Sequence, residues 1–210
     1  MNPIINKEII MKIKRILALL LSLSICISLA SCEEEPCVHT DANYDGICDL
    51  CEEIVKELPA RGSQVGALCQ NYPLDLVDGT GIVNIKNMRG KVVVINFWGT
   101  WCNPCKSELP HFDSVAEEYA DRVVVLTVHS VDRLENAAGY IEENFPDSKM
   151  IFAYDTAVEG GFDLYYELLG GEGSYPRTVI IDKYGVITFS IESAISHDTL
   201  VSEVDRALAN

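Results

Sequence analysis

Basic residues are scarce in this chain. It has 16 lysines and arginines against 32 aspartates and glutamates, and its formal net charge is −16 at pH 7. Four of the basic residues and one of the acidic residues precede Cys32, which leaves 12 basic and 31 acidic residues from there on. Because neutralising phosphates requires clustered lysine and arginine, we expect no nucleic-acid partner. Acidity of this kind is more typical of a solvated surface than of a specific partner.

Long hydrophobic runs are also missing. The apolar run Ile16 to Ala30 is shorter than the roughly 20 residues that a membrane-spanning helix needs. It follows a positively charged segment, Lys12 to Arg15, and ends in Leu29-Ala30-Ser31-Cys32. These features predict a leader over residues 1–31. The segment resembles a bacterial lipoprotein signal peptide, which is cut before the cysteine that is then acylated, here Cys32. An uncleaved anchor helix is the alternative, and both place the rest of the chain outside the cytoplasm.

No cysteine follows Cys105, although the chain has eight. Cys102 and Cys105 lie in the stretch VVVINFWGTWCNPCKSELP, residues 92–110. Its β-branched start predicts a strand buried on both faces, and the residues after Cys105 favour a helix. Cys102 would then lie at a helix N-terminus, where free N–H groups and the helix dipole favour a thiolate. The spacing therefore predicts a redox-active pair.

A zinc site is the alternative for this pair, because Cys-x-x-Cys is also a zinc spacing. Zinc would need a second ligand pair, and the downstream chain offers three scattered histidines, His111, His129 and His197. We therefore favour thiol–disulfide exchange. Cys102 would attack a substrate disulfide as a thiolate, and Cys105 would resolve the mixed disulfide.

The stretch NFWGTWCNPCKSELP resembles the active site of the thioredoxin superfamily, in its TlpA/ResA-like branch of membrane-tethered thiol–disulfide oxidoreductases. Asn96 stands where thioredoxin carries a buried aspartate, which is the pattern of this branch. The resemblance extends over residues 67–210 and implies an α/β fold, a thioredoxin-like three-layer sandwich with an N-terminal β-hairpin extension. It implies no cofactor for catalysis.

The resemblance also implies roles for further residues. Glu108 matches a glutamate that ResA-like proteins use near the dithiol, and it lies three residues after Cys105. We expect it to affect the thiol pKa values; the alternative is an exposed first-turn glutamate. Pro176 matches the cis-proline that lies opposite the dithiol, and Tyr175 would offer backbone groups to a substrate chain. A trans proline at a strand start is the alternative. Trp101 would shape the docking surface.

The implied partners are exported proteins that contain disulfides. The implied electron donor is a membrane protein such as a CcdA-like thiol transporter. The implied location is the extracytoplasmic face of the bacterial cell membrane, through the lipid anchor. Members of the family serve cytochrome c maturation, sporulation or general disulfide reduction, and no residue of this chain indicates one of these pathways.

An acidic segment rich in cysteine and aspartate, residues 32–66, separates the leader from the predicted catalytic domain, and we call it the tether. One set of its residues fits the calcium-loop spacing D-x-[DN]-x-[DN]-G-x5-E, and another supplies four zinc ligands. Disulfides, favoured outside the cytoplasm, and a flexible tether without an ion are further alternatives. We expect a spacer outside the chemistry. The two sets are Asp41, Asn43, Asp45, Asp49 and Glu52 for calcium, and Cys37, His39, Cys48 and Cys51 for zinc.

Two rival functions are a peroxide-reducing or methionine sulfoxide reductase-linked partner and a non-catalytic, metal-binding surface lipoprotein. Cys69 would be the peroxidatic residue, but we expect no activating threonine and arginine beside it. It would either pair with a tether cysteine or stay free. Further patterns predict a hairpin over residues 72–85, a helix from the dithiol to Tyr119, strands at 123–128, 150–154, 178–181 and 186–190, and helices at 134–145, 162–169 and 199–208.

Overall fold

The computed structural model describes residues 37–130, 133–155 and 164–210. The predicted leader and Cys32 lie outside these residues. His39–Asn210 form one compact unit, and the contacts described below lie within it. No helix of the described residues is long and apolar enough to span a bilayer.

From Pro73 onward the strands and α-helices follow one another in the order that the sequence patterns predict, with ends that differ by a few residues. Two short strands before Pro73 were not predicted. A short 3₁₀ turn, Ile85–Met88, precedes the central strand. The strands and helices are β1 (Arg61–Gly62), β2 (Leu68–Cys69), β3 (Pro73–Leu76), β4 (Ile82–Asn84), β5 (Val92–Trp98), α1 (Asn103–Glu118), β6 (Val123–His129), α2 (Leu134–Asn144), β7 (Ile151–Tyr154), α3 (Leu164–Leu168), β8 (Arg177–Ile181), β9 (Ile187–Ile191) and α4 (His197–Leu208).

Within the described residues, seven strands form one mixed sheet in the order β4-β3-β7-β6-β5-β8-β9. The central strands β5, β6 and β7 run parallel, as expected where a helix connects each to the next. Strands β8 and β9 complete one side in antiparallel pairing. On the other side β3 and β4 form the predicted N-terminal hairpin, which extends the sheet through β7.

All seven residues of β5 are buried, as its apolar run predicts. Because side chains alternate across a pleated strand, β5 supplies both cores. Phe97 packs in a core with Tyr165 and Tyr166 of α3. Val94 packs in the other core with side chains of α1 and α4, including Phe112. The sheet therefore lies between two helical layers, and the carboxyl end of β5 leads directly into α1.

The tether packs against the rest of its compact unit instead of standing apart. The Arg89 guanidinium donates a hydrogen bond to the backbone oxygen of Tyr44. The ring of Tyr44 meets Tyr184 edge to face at 5.4 Å, and Lys56 Nζ lies 3.6 Å from the centroid of the Tyr184 ring. From His39 onward, these contacts hold the segment that we expected to be a spacer. The domain boundaries at residues 31/32 and 66/67 stay a prediction.

Candidate active site

The two predicted redox cysteines lie at the start of α1. Cys102 is the N-cap residue of this helix, and Cys105 lies in its first turn. They are joined by a disulfide, with 5.3 Å between their Cα atoms. The backbone N–H of Cys105 points at Cys102 Sγ, 3.2 Å away. After reduction the same N–H can donate to a Cys102 thiolate, which is the stabilisation that a helix N-terminus provides.

The dithiol is almost completely covered. Cys102 is 4% exposed and Cys105 is fully buried, so Cys102 is the sulfur nearer to solvent. The two sulfurs belong to a small apolar cluster with Trp98 and Leu109, against which Tyr175 packs. Only a small part of Cys102 is therefore accessible to a substrate disulfide.

Aromatic side chains lie beside the dithiol. Trp101 is 52% exposed, and its ring meets Tyr175 edge to face at 5.4 Å. Tyr175 stacks on Tyr166 at 4.7 Å. A Cβ atom at Gly99 would lie 2.4 Å from Trp101 Nε1, so glycine is required for this ring position. The peptide bond between Tyr175 and Pro176 is cis, as the family resemblance implied for Pro176.

Arg177 fixes the loop that carries Tyr175, and the sequence reasoning did not identify it. Its side chain is 5% exposed and forms an ion pair with Glu192. It also donates to the backbone oxygens of Leu169 and Gly170. The hydroxyl of Tyr166 donates to Ser174 O at 2.9 Å, just before the cis bond. This network holds the loop in place next to the dithiol.

Glu108 lies inside the protein, which excludes the alternative of an exposed first-turn glutamate. It is 2% exposed. Asn96 Nδ2 donates to its Oε1 at 2.8 Å, and the backbone N–H of Ile195 donates to its Oε2 at 2.8 Å. Burial raises the pKa of Glu108 to about 7, although both hydrogen bonds act in the opposite direction. A buried carboxyl that titrates near neutral pH can exchange protons with a thiol.

Asn96 therefore orients Glu108 from the strand that precedes the dithiol. Its amide also lies 3.5 Å from Thr178 Oγ1 on the neighbouring strand β8. The sequence showed that Asn96 cannot titrate, but not that it contacts Glu108. Ile195 was missed altogether, because it is 87 residues away in the chain and contributes only its backbone.

The Glu108→Gln variant should change how stability depends on pH. With a pKa of about 7 when folded and 4.5 as the usual value, the folded protein binds more protons than the unfolded chain between these pH values. The Glu108 contribution to the free energy of unfolding therefore falls as pH rises from about 4.5 to 7. Over this window the variant should gain on the order of 3 kcal/mol relative to the wild type. Denaturant titration of both oxidised proteins at several pH values measures this.

Glu117→Gln provides the matched control, because Glu117 lies on the same helix with its side chain 68% exposed. Its difference from the wild type should stay within about 0.5 kcal/mol at every pH. If the difference in free energy of unfolding between Glu108→Gln and the wild type were equally independent of pH, Glu108 would titrate normally.

The tether residues fall into two groups. One imidazole nitrogen of His39 and the sulfurs of Cys48 and Cys51 lie within 4.8 Å of one another. In contrast, the described residues contain no comparable group of three carboxylates. Asp41 instead accepts the backbone N–H groups of Asp45 and Gly46, both at 3.0 Å. Asp49 accepts that of Ala42 at 2.7 Å. Asn43 likewise closes the turn, and Glu52 adopts a positive φ of 60°.

Cys69 is a free, buried thiol in β2. Arg61 lies beside it and donates to the backbone oxygen of Cys69 at 2.9 Å, so the expectation that no arginine lies nearby is wrong. Burial nevertheless raises the pKa of the Cys69 thiol to about 11. A thiol that stays protonated at neutral pH is a poor nucleophile.

The chain is similar in sequence to proteins of one family. The family model described as AhpC/TSA family matches residues 65–190. The thioredoxin-like protein YneN of Bacillus subtilis is 28% identical over 128 residues, which are 60% of this chain and 70% of that protein. The thiol-disulfide oxidoreductase ResA of Bacillus cereus is 29% identical over 138 residues, 65% of this chain and 72% of that protein.

Solved structures show the same fold. The exposed lipoprotein thioredoxin of Streptococcus pneumoniae superimposes with a TM-score of 0.56 at 25% identity, over 65% of this chain and 99% of that one. A thiol:disulfide interchange protein DsbE from Chlorobium tepidum gives a TM-score of 0.58 at 22% identity, over 71% of this chain and 99% of that one. The predicted thioredoxin-like α/β fold is confirmed.

Proposed function

Because the chain belongs to the AhpC/TSA family, within its thioredoxin-like proteins, and is an oxidoreductase, we propose that it exchanges disulfides of exported proteins while anchored at the membrane. The observation that carries the proposal is the Cys102–Cys105 disulfide at the N-terminus of α1. The backbone N–H of Cys105 points at Cys102 Sγ, the sulfur that would become the nucleophile.

The exchange proceeds in two steps. The Cys102 thiolate attacks one sulfur of a substrate disulfide, so a bond forms to Cys102, the substrate S–S bond breaks and one substrate thiolate leaves. Cys105 then loses its proton and attacks Cys102 Sγ, which releases the second substrate thiolate and forms the internal disulfide. The substrate gains two electrons and two protons, and the dithiol is oxidised. An electron donor must then reduce Cys102–Cys105, and a CcdA-like membrane thiol transporter is our candidate.

Glu108 would serve the second step. Its carboxyl lies three residues after Cys105 on α1 and is held by Asn96 and Ile195. With a pKa of about 7 it is partly ionised at neutral pH and can accept the Cys105 proton. Substrate would bind as an extended chain beside Tyr175 and Pro176, with Trp101 providing apolar contact.

For membrane anchoring we propose cleavage after residue 31 and acylation of Cys32, with residues 32–66 as tether and 67–210 as catalytic domain. Two features support this. The sequence Leu29-Ala30-Ser31-Cys32 resembles the cleavage site of a lipoprotein signal peptide, and the chain resembles a family whose members act outside the cytoplasm. The solved relative from Streptococcus pneumoniae is itself described as an exposed lipoprotein. Two acyl chains would hold the protein stably at a membrane surface, where one gives only marginal binding.

The test is catalytic reduction of a protein disulfide, with insulin as the probe and a small thiol as electron source. The full chain, purified in detergent, should accelerate reduction well above the rate with the thiol alone. No acceleration, with a correctly folded protein, would overturn the proposal. Acceleration of hydroperoxide consumption instead would favour the rival function, which the high pKa of Cys69 opposes.

A further inference from the structure

The soft ligands of the tether form a built cluster that the redox chemistry does not use. We propose that His39, Cys48 and Cys51 bind a zinc ion, and that Cys37, two residues before His39 in the chain, is the fourth ligand. Cys51 Sγ lies 3.4 Å from His39 Nδ1, so these two groups already face one another. Two thiolates, one imidazole and a further thiolate are a typical closed, tetrahedral zinc set.

The turn that carries Cys48 and Cys51 holds the Cys48 sulfur in a fixed orientation. The backbone N–H groups of Leu50 and Cys51 donate hydrogen bonds to the Cys48 sulfur. Cys48 is 1% exposed, and its backbone is fixed by hydrogen bonds to Glu53 O at 2.8 Å and from Glu52 N at 3.0 Å. Hydrogen bonds around a ligand atom orient it and stabilise its negative charge, which is the support that a metal site needs.

The acidic side chains of the same segment have a different role. Asp41 and Asp49 accept backbone N–H groups and so close the turns on which the soft ligands stand. The sulfurs of Cys48 and Cys51 and the His39 ring are the groups that converge. Nitrogen and sulfur ligands select zinc, whereas calcium takes oxygen ligands. The arrangement therefore favours zinc over the calcium loop.

Zinc also explains how thiols could persist in this chain. Outside the cytoplasm free thiols tend to form disulfides, and a dithiol that catalyses exchange lies in the same protein. Coordination consumes the thiolates, releases the thiol protons to solvent and removes the sulfurs from exchange. A segment too small to bury its own core would gain folding free energy from the ion.

The test uses the full chain in detergent, with the dithiol removed by Cys102→Ser and Cys105→Ser so that it cannot bind metal. We expect one zinc per chain by elemental analysis. Replacement by Co²⁺ should give the thiolate-to-cobalt charge-transfer absorption of a tetrahedral site. Adding Cys48→Ser and Cys51→Ser should abolish both, whereas adding Cys69→Ser, which changes a buried cysteine outside the cluster, should leave both unchanged.

Three results would overturn the proposal. One is zinc retained after Cys48→Ser and Cys51→Ser. Another is a Co²⁺ spectrum of an octahedral, oxygen-ligated ion in the protein with an intact cluster, a readout that does not depend on the folding of any cluster variant. The third is a metal-free protein in which mass spectrometry finds Cys48 and Cys51 in disulfides.

Discussion

Cys105→Ser should trap the protein on its substrates. Without the Cys105 thiol the mixed disulfide at Cys102 cannot be resolved internally, and the advantage of an intramolecular attack is lost. We expect covalent complexes with exported proteins that dissolve when excess dithiol is added. Non-reducing electrophoresis of cells that express the variant, followed by mass spectrometry of the captured partners, measures this and names the substrates.

Cys102→Ser should lose the disulfide-reducing activity. Insulin reduction should fall by about a thousandfold or more, because the nucleophile itself is gone. Cys69→Ser is the control, since this thiol is buried with a pKa raised to about 11 and should affect neither activity nor trapping. Equal trapping by the Cys102→Ser/Cys105→Ser double variant would show that another cysteine forms the adducts.

Arg177→Met should destabilise the protein by about 3–5 kcal/mol, the usual cost of removing one partner of a buried ion pair. The change leaves the Glu192 carboxylate and the backbone oxygens of Leu169 and Gly170 without the guanidinium donor. Because Arg177 follows Pro176 directly, the loop beside the dithiol should also lose its fixed position. Denaturant unfolding measures the first effect, and KM for a protein disulfide measures the second.

Lys149→Met tests whether the burial of the Arg177 side chain is the cause of the large loss of stability. Lys149 pairs with Glu117 at 2.9 Å, but their side chains are 51% and 68% exposed. Removing this exposed pair should cost within about 1 kcal/mol. If both variants lost the same small amount of stability, the Arg177 network would not be what holds the loop.

The sequence was sufficient for those features that depend on local patterns. The β-branched run before the dithiol predicted a buried strand, and β5 is buried throughout. Asp78-Gly79-Thr80-Gly81 predicted the turn between β3 and β4, because glycine and aspartate favour tight turns. The spacing of Cys102 and Cys105 predicted their place at the start of α1.

Features that depend on distant parts of the chain could not be predicted in this way. The depth of Cys102 depends on Trp98, Leu109 and Tyr175, which the fold brings together from separate elements. The pKa of Glu108 depends on burial and on a backbone N–H near the C-terminal helix. A local motif specifies which residues can react, but only tertiary packing sets their exposure and charge.

The packing of the tether was missed for a similar reason. Its composition indicates a spacer, because it is acidic and too short to form a core. Its position depends on single contacts, such as the Tyr44 ring against Tyr184 and the Arg89 hydrogen bond to Tyr44. Neither partner has a sequence pattern that would have revealed the contact.

Titration of the purified full chain against buffers of defined thiol–disulfide potential tests the central claim most directly. The fraction of Cys102 and Cys105 in disulfide form is read by alkylation and mass spectrometry. The account predicts a single reversible two-electron transition between the disulfide and the dithiol, with both cysteines changing together. A pair that stays in one state across the accessible range of potentials, or that is protected from alkylation by a bound metal ion, would contradict it.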